Sequence, residues 1–287
     1  MSRQRRGHGK SAFGTHIKKI TPVQIIFATI TANMCCKRGH EVESYTYSCM
    51  RSATDIKSDN RKAIVLLSGG LDSAVTLAAL HADGFTCATL AIDYGQRHRV
   101  ELEFAQRVSH ALGASEHRQV TVDLRTLGGS ALTADIAVPK DRDLAGVDIP
   151  VTYVPARNTI FLSVALGFAE SVGARHIAFG ANALDYSGYP DCRPDFIEAF
   201  ERLANVATRD GVQAAVAGQA WFKVHAPLLR MSKAQIILLG KKLGVDFALT
   251  TSCYDPGKNA KPCGLCDSCR LRAKGFGEAG VLDPRVL

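Results

Sequence analysis

The chain has 287 residues and a mass of 30.8 kDa, which is enough for one large domain or two modest ones. Apolar residues make up 46% and charged residues 22%, a composition that excludes global disorder, and no apolar run is long enough to span a bilayer. Most of the net charge of +8 belongs to residues 1–49, which carry eight basic and two acidic side chains. The rest of the chain is nearly neutral, so its charge does not predict a surface that binds nucleic acid.

Residues 1–61 differ in composition from the rest and are predicted to be a basic leader, either disordered or not part of the native protein. Basic residues before the apolar stretch 23–34 resemble the layout of a secretory signal. Polar side chains interrupt that stretch, however, and Cys35 and Cys36 follow it directly, which argues against export. We therefore expect a cytoplasmic protein whose functional chain begins near Met50.

Beyond the leader, short apolar runs alternate with helical patterns. Strands are predicted at 63–67, 86–92, 119–122, 176–179 and 222–226, and helices at 73–82, 100–112, 159–171, 194–204 and 233–243. Strands that are mostly apolar and separated by helices are typical of a parallel sheet covered on both faces. The predicted fold class is therefore α/β, with a doubly wound, mostly parallel sheet of the Rossmann-like type.

The segment Ser68-Gly69-Gly70-Leu71-Asp72-Ser73 lies between the first predicted strand and the first predicted helix. Two adjacent glycines let a ligand approach the main chain closely, and successive amides at a helix N-terminus attract anions. Ser68 and Ser73 add hydroxyl donors, while Asp72 either holds Mg²⁺ or caps the helix. This setting predicts a phosphate-binding loop rather than a plain turn.

Polar residues also follow the later predicted strands, at the edge where parallel sheets bind ligands. Asp93 ends the second strand, and the polar run 182–194 follows the fourth. The amides, carboxylates and tyrosines of this run suit the edge and the face of a purine-like base. Arg97 and Arg157 are suited to neutralise a carboxylate or a phosphate.

The SGGLDS segment after an apolar strand resembles the loop of the PP-loop ATP pyrophosphatases. Further segments are similar to the 7-cyano-7-deazaguanine synthase family of queuosine biosynthesis, namely 93–98, 154–158, 180–196 and a C-terminal cysteine cluster. The resemblance implies an adenine nucleotide alpha-hydrolase-like fold. It also implies conversion of 7-carboxy-7-deazaguanine and ammonia to the nitrile through adenylated acid and amide intermediates, with ATP and Mg²⁺. Partners would be these small molecules, with no nucleic acid and no membrane, and a homodimer is compatible with the sequence.

The same resemblance implies which residues act. The catalytic residues would be Ser68, Asp72, Arg97 and Arg157. The ATP-binding residues would be Leu67, Ser68, Gly69, Gly70, Leu71, Asp72, Ser73, Ala74, Val75, Thr76, Leu77 and Lys233. The substrate-binding residues would be Asp93, Gln96, Asn158, Asn182, Asp185 and Tyr186. Lys233 has a second interpretation of equal weight, as an ordinary helix start behind an N-cap at Ser232.

Four of the nine cysteines cluster near the C-terminus, at Cys253, Cys263, Cys266 and Cys269. Their spacing predicts a metal site in a reducing compartment rather than a disulfide framework. Four sulfurs without a histidine indicate a closed, structural Zn²⁺ site. An iron–sulfur cluster is the rival, because C-x2-C-x2-C resembles the ferredoxin run, although the fourth cysteine and the proline that continue that run are missing.

These patterns predict an ATP-binding α/β domain over 62–245 and a zinc-binding segment over 246–287. Two other functions stay open, a PP-loop enzyme that thiolates tRNA and a non-catalytic zinc protein that binds a nucleotide. Residues 275–280 spell G-x-G-x-x-G, but they follow the cysteine cluster rather than a strand, and we expect no helix between them and Pro284. They are therefore not predicted to bind a dinucleotide.

Overall fold

The computed structural model describes residues 61–141, 149–184 and 189–286 of the chain. Nearly all of the predicted leader lies outside the described residues, as do the predicted substrate contacts Asp185 and Tyr186. Within the described residues, no helix is both long enough and apolar enough to cross a membrane.

Five parallel strands form the central sheet. They are β1 (Lys62–Leu66), β2 (Thr86–Asp93), β3 (Glu116–Thr121), β4 (His176–Ala178) and β5 (Lys223–His225). Their order across the sheet is β3-β2-β1-β4-β5, and each neighbouring pair is parallel. The predicted doubly wound α/β fold is therefore confirmed.

Helices cover both faces of this sheet. They are α1 (Leu71–Ala82), α2 (Val100–Ala111), α3 (Arg157–Val172), α4 (Pro194–Val206), α5 (Arg209–Val216), α6 (Lys233–Lys242) and α7 (Asp267–Glu278). Short 3₁₀ turns occur at Arg125–Leu127, Pro190–Cys192, Phe247–Leu249 and Lys258–Ala260. One hydrophobic layer receives residues from α1, α2, α6 and α7, and the other receives residues from α3 and α4.

The central strand β1 alternates its side chains between these two layers. Ile64 packs in the layer of Leu162, whereas Val65 packs in the layer of Leu77. Because both faces of β1 are covered, its sequence is apolar without a polar alternation. Each such side chain contributes roughly 1.5–3 kcal/mol when fully buried.

The edge strand β3 begins three residues earlier than predicted and is mostly exposed. Its first residues are Glu116, His117 and Arg118, which pair with β2 through the main chain. An edge strand needs little apolar surface and is often charged, so hydrophobicity alone detects only part of it.

Two helices, α5 and α7, differ from the sequence-based expectation. α5 begins behind Thr208, whose hydroxyl accepts a hydrogen bond from the Gly211 amide at 3.2 Å. α7 was not predicted; it includes Gly275 and Gly277 and ends at Glu278, inside the G-x-G-x-x-G run, and no helix follows the run before Pro284, as expected. The helix starts earlier, directly after Cys266 and with Cys269 in its first turn, and runs through both glycines.

The order of the strands opens a crevice at one edge of the sheet. From β1 the chain continues outward to β2 and β3, and it then returns to place β4 on the other side of β1. The helices α1 and α4, which follow β1 and β4, lie on opposite faces. Ligands of doubly wound sheets bind at such a reversal point, beyond the carboxyl ends of the strands.

Candidate active site

The loop Ser68–Ser73, here called the glycine loop, joins β1 to α1 and is held by its own hydroxyl groups. The Ser73 hydroxyl donates to the Gly70 carbonyl at 3.0 Å and accepts from the Ser68 amide at 3.2 Å. Gly70 is the N-cap residue of α1 and no side chain caps the helix, so capping by Asp72 is not observed. The loop thus presents main chain at a helix N-terminus, where the helix dipole favours an anion.

Gly69 is the tightest point of the glycine loop. Its φ is +78°, and a Cβ there would lie 2.4 Å from the Glu101 carbonyl oxygen and 2.7 Å from the Ala105 amide nitrogen. On the other side, the Gly69 carbonyl accepts a hydrogen bond from the Thr251 amide at 2.9 Å. Main chain from α2 and from the segment before the cysteines therefore fixes the loop, and a side chain at this position has no room.

Lys233 reaches the glycine loop from α6. Its Nζ lies 2.8 Å from both carboxylate oxygens of Asp72, and the residue is only 7% exposed. Ser232 caps α6 in a capping box with Gln235. The two interpretations of Lys233 are therefore compatible, because the residue begins a helix and also contacts the loop.

A cleft of about 240 Å³ opens at the reversal point of the sheet. Many of the predicted site residues line it, namely Leu67, Ser68, Gly70, Leu71, Asp72, Ser73, Gln96, Arg97, Arg157, Asn158 and Asn182. Cys253 of the cysteine cluster also lines it. The structure thus brings the glycine loop, two predicted arginines and the start of the cysteine segment to one cavity.

Other predicted site residues support the cleft without lining it. The residues 74–77 are buried inside α1, where they pack in the core. Asp93 forms an ion pair with Arg99 and accepts a hydrogen bond from the Gly95 amide at 3.2 Å. The hydrogen bond from Arg99 lowers the pKa of Asp93, so this carboxylate stays charged and holds the end of β2.

Arg157 supplies positive charge to the cleft at the N-terminus of α3. Its guanidinium carbon lies 6.0 Å from the ring centre of Tyr94 and 5.9 Å from that of Phe161. Among the described residues, no carboxylate forms an ion pair with Arg157. The preceding residue, Ala156, has a φ of +53°, a strained conformation for a residue with a side chain. A guanidinium in an aromatic setting suits a carboxylate ligand.

The two predicted asparagines hold the walls of the cleft. The Asn158 side-chain amide donates to the main-chain carbonyl of Asp191 at 3.2 Å, and the Asn158 main-chain amide donates to the carboxylate of Asp191 at 3.1 Å. The Asn182 side chain donates to the Met231 carbonyl at 2.7 Å and accepts from the Leu184 amide at 2.9 Å. Both side chains therefore shape the cavity by anchoring the loops around it.

Several cleft residues were not predicted from the sequence as site residues, namely Tyr94, Glu101, Thr251 and Tyr254. Tyr189, which also lines the cleft, is one of the tyrosines of the run 182–194 that were expected to contact a base. Glu101 is notable among the unpredicted residues because burial raises the pKa of its carboxyl to about 7, and Asp93 adds to this rise while Arg157 and Gln96 oppose it. Acidic residues are common in the first turn of a helix, so the sequence offers no signal that singles out Glu101.

The four predicted cysteines form a cluster, here called the cysteine cluster, whose Sγ atoms all lie within 4.8 Å of one another. A tetrahedral ion with S–metal bonds of about 2.3 Å places its sulfurs about 3.8 Å apart, so the cluster fits such an ion. The Cys263 amide donates to Cys253 Sγ at 3.2 Å, and the Cys266 amide donates to Cys263 Sγ at 3.4 Å. Such donors favour thiolates, the form that binds a metal.

Comparison with known proteins identifies close relatives. The family model described as queuosine biosynthesis protein QueC matches residues 62–280. The 7-cyano-7-deazaguanine synthase of Geobacter sulfurreducens is 62% identical over 224 residues, which cover 78% of this chain and 92% of that protein. The 7-cyano-7-deazaguanine synthase of Syntrophotalea carbinolica is 60% identical over 225 residues, which cover 78% and 96%.

A solved structure gives a weaker likeness. The NMN synthetase from Francisella tularensis matches with a TM-score of 0.42 and 15% identity, over 81% of this chain and 82% of that chain.

The raised pKa of Glu101 predicts a stability that falls as the pH rises. Between about pH 4.5 and pH 7 the unfolded chain has lost this proton while the folded chain keeps it, so each unit of pH costs the folded state up to about 1.4 kcal/mol. Urea unfolding across this range should therefore show that the free energy of unfolding of Glu101→Gln increases relative to that of the wild type as the pH rises, by at most about 3 kcal/mol.

Glu103→Gln is the matched control, because Glu103 is an exposed residue of the same helix, in a loose pair with Arg107 at 3.4 Å. Its stability should run parallel to that of the wild type at every pH. Parallel curves for Glu101→Gln and the wild type would show instead that the Glu101 carboxyl titrates normally.

Proposed function

Because the chain belongs to the queuosine biosynthesis protein QueC family, we propose that this enzyme is an ATP-dependent ligase that forms 7-cyano-7-deazaguanine. Its substrates are 7-carboxy-7-deazaguanine, ammonia and ATP. The family match also decides between the three functions left open by the sequence, since nothing found favours tRNA thiolation or a non-catalytic nucleotide-binding role.

The reaction needs ATP because a carboxylate is a poor electrophile toward ammonia. In the first half, a carboxylate oxygen attacks the α-phosphorus of ATP and pyrophosphate leaves. Ammonia then adds to the carbonyl carbon of the acyl adenylate and loses a proton. AMP departs with that carboxylate oxygen, and the product is the amide.

The second half removes the remaining oxygen by the same means. The amide oxygen attacks the α-phosphorus of a second ATP, and pyrophosphate leaves again. The nitrogen loses its protons as the C–O bond breaks, and AMP carries away the second oxygen to leave the nitrile. One site that adenylates oxygen therefore accounts for both halves without a covalent protein nucleophile.

The observation that carries this proposal is the lining of the cleft. The glycine loop occupies one part of the wall, and Arg157 occupies another together with Tyr94 and Tyr189. The loop suits the phosphates of ATP, and the guanidinium suits the carboxylate of the base, which the tyrosines contact. Holding both substrates in one cavity makes a bimolecular reaction effectively unimolecular, and fixed charges stabilise the transition state.

The loop residues have separate roles in this proposal. The main chain of Gly69 and Gly70, with the hydroxyls of Ser68 and Ser73, binds the pyrophosphate portion of ATP. Asp72 lines the cleft and would hold Mg²⁺, an ion that supplies positive charge to the departing pyrophosphate. Lys233, which contacts Asp72, adds a second positive charge at the same place.

We propose Zn²⁺ as the ion of the cysteine cluster. Four sulfur ligands leave no open position, so the ion would stabilise the fold of residues 253–269 and take no part in the reaction. The metal should contribute on the order of 10 kcal/mol to the folding of this segment. Thiolate ligands also fit the proposed cytoplasmic location, where cysteines stay reduced. The expected absence of nucleic-acid and membrane partners, and a homodimer, stay predictions.

The direct test is incubation of the protein with 7-carboxy-7-deazaguanine, ammonium and Mg-ATP, followed by mass spectrometry. We expect the amide to appear first and the nitrile to follow, with AMP and pyrophosphate released for each step. Asp72→Ala should abolish both products, because both adenylations use the same loop, while the metal content stays unchanged.

Asp83→Ala is the matched control, since Asp83 is an exposed residue at the other end of α1. This variant should form the nitrile at the wild-type rate. Nitrile formation by Asp72→Ala at the wild-type rate would contradict the role assigned to the loop.

Metal analysis tests the proposed ion separately. Purified protein should contain one zinc per chain and be colourless, and Cys266→Ser should lose the zinc and much of its thermal stability. Cys87→Ser is the control, because Cys87 lies buried in the core away from the cluster and should keep the zinc. Iron with visible absorbance in anaerobically purified protein would instead show an iron–sulfur cluster.

A further inference from the structure

The C-terminal part of the chain contacts the glycine loop from two sides. Just before the first cysteine, the Thr251 amide donates to the Gly69 carbonyl at 2.9 Å. After the last cysteine, Gly275 in α7 packs against Lys233, whose Nζ lies 2.8 Å from both carboxylate oxygens of Asp72. The residues before the cysteine cluster therefore contact the loop directly, at the Gly69 carbonyl. Those after it contact the loop through Lys233, the partner of Asp72.

The contact at Gly275 leaves no room for a side chain. A Cβ there would lie 2.2 Å from Lys233 Cγ and 2.8 Å from Lys233 Cβ, and 3.1 Å from Ile237 Cδ1. Both lysine atoms are close to the main chain, so they cannot turn aside without moving the ammonium group. Gly277 lies two residues further along α7, and a Cβ there would meet no atom within 4 Å.

The helix α7 is held firmly enough to act as a support. Cys266 is its N-cap residue and Cys269 lies in its first turn, so the cysteine cluster fixes its start. Arg272 is buried, and its Nε donates to Asp283 at 2.7 Å while its Nη1 donates to Thr250 Oγ1 at 2.9 Å. These contacts fix the helix from its start to the turn that precedes Gly275.

We propose that Gly275 is a positioning residue for ATP, which lets α7 rest against the base of Lys233 and so sets the ammonium group at Asp72. This inference rests on the proposed function, in which the glycine loop and Lys233 bind the phosphates of ATP. The cysteine cluster then takes part in nucleotide binding indirectly, through the helix whose start it fixes.

The test compares Gly275→Ala with Gly277→Ala, two equal changes in one helix. Overpacking of 1–3 kcal/mol at Lys233 should raise the KM for ATP at least about fivefold in Gly275→Ala. The KM for 7-carboxy-7-deazaguanine and the zinc content should not change, because neither site touches Gly275. Gly277→Ala should match the wild type in all three measurements.

A double variant separates positioning from general packing. Lys233→Ala removes the Cγ atom that a Cβ at Gly275 would approach most closely. Adding Gly275→Ala to Lys233→Ala should therefore change the KM for ATP by less than about twofold. If Gly275→Ala alone does not fold, the same double variant should restore folded, zinc-containing protein.

Three results would overturn the inference. In the first, Gly275→Ala and Gly277→Ala have the same KM for ATP. In the second, Gly275→Ala raises the KM of both substrates equally, in the wild type and in Lys233→Ala alike. Failure of the double variant to fold would count as the same result. In the third, Lys233→Ala itself leaves the KM for ATP unchanged, and this result also refutes the nucleotide role of Lys233, which the first two leave intact.

Discussion

Close approach of main chain around the glycine loop is the constraint on which the site depends. A Cβ on Gly69 would collide with α2, and a Cβ on Gly180, just after β4, would lie 3.0 Å from the main chain of Asp72 and Ser73. The loop is therefore enclosed by two neighbouring elements at the point where the sheet reverses its strand order. Its shape comes from this packing, and it presents a helix N-terminus to the cleft.

This arrangement suits a reaction in which one chemical step occurs twice. Each adenylation demands that an ATP be held still beside the oxygen that attacks it, which is first an oxygen of the acid and then the oxygen of the amide. A loop and a guanidinium in one cavity would meet both demands in the proposed reaction, because the nucleotide side of the cleft would stay constant while Arg157 and the tyrosines would contact the changing group. The buried carboxyl of Glu101, with a pKa near neutrality, lies in the same cavity.

Much of this could be predicted from the sequence because its signals are local. A six-residue loop between an apolar strand and a helix, and four cysteines at metal-binding spacing, are each visible within a short stretch. The missed features are set by distant contacts. Lys233 was predicted at the site, but its contact with Asp72 across the fold was not. Glu101 is half-buried and owes its raised pKa to its surroundings in the fold, and α7 tolerates Gly275 because that glycine packs against α6. Asp93 was expected at the substrate, but its pairing with Arg99 depends on the local path after β2.

The most direct test of the account is a crystal structure with 7-carboxy-7-deazaguanine and an ATP analogue that cannot be cleaved between its α- and β-phosphates. We expect the terminal phosphate oxygens within about 3 Å of the main-chain amides of the glycine loop, and the carboxylate on Arg157. Phosphates found instead in the neighbouring arginine-lined cavity of Arg99, Arg107 and Arg285, with the glycine loop empty, would contradict it.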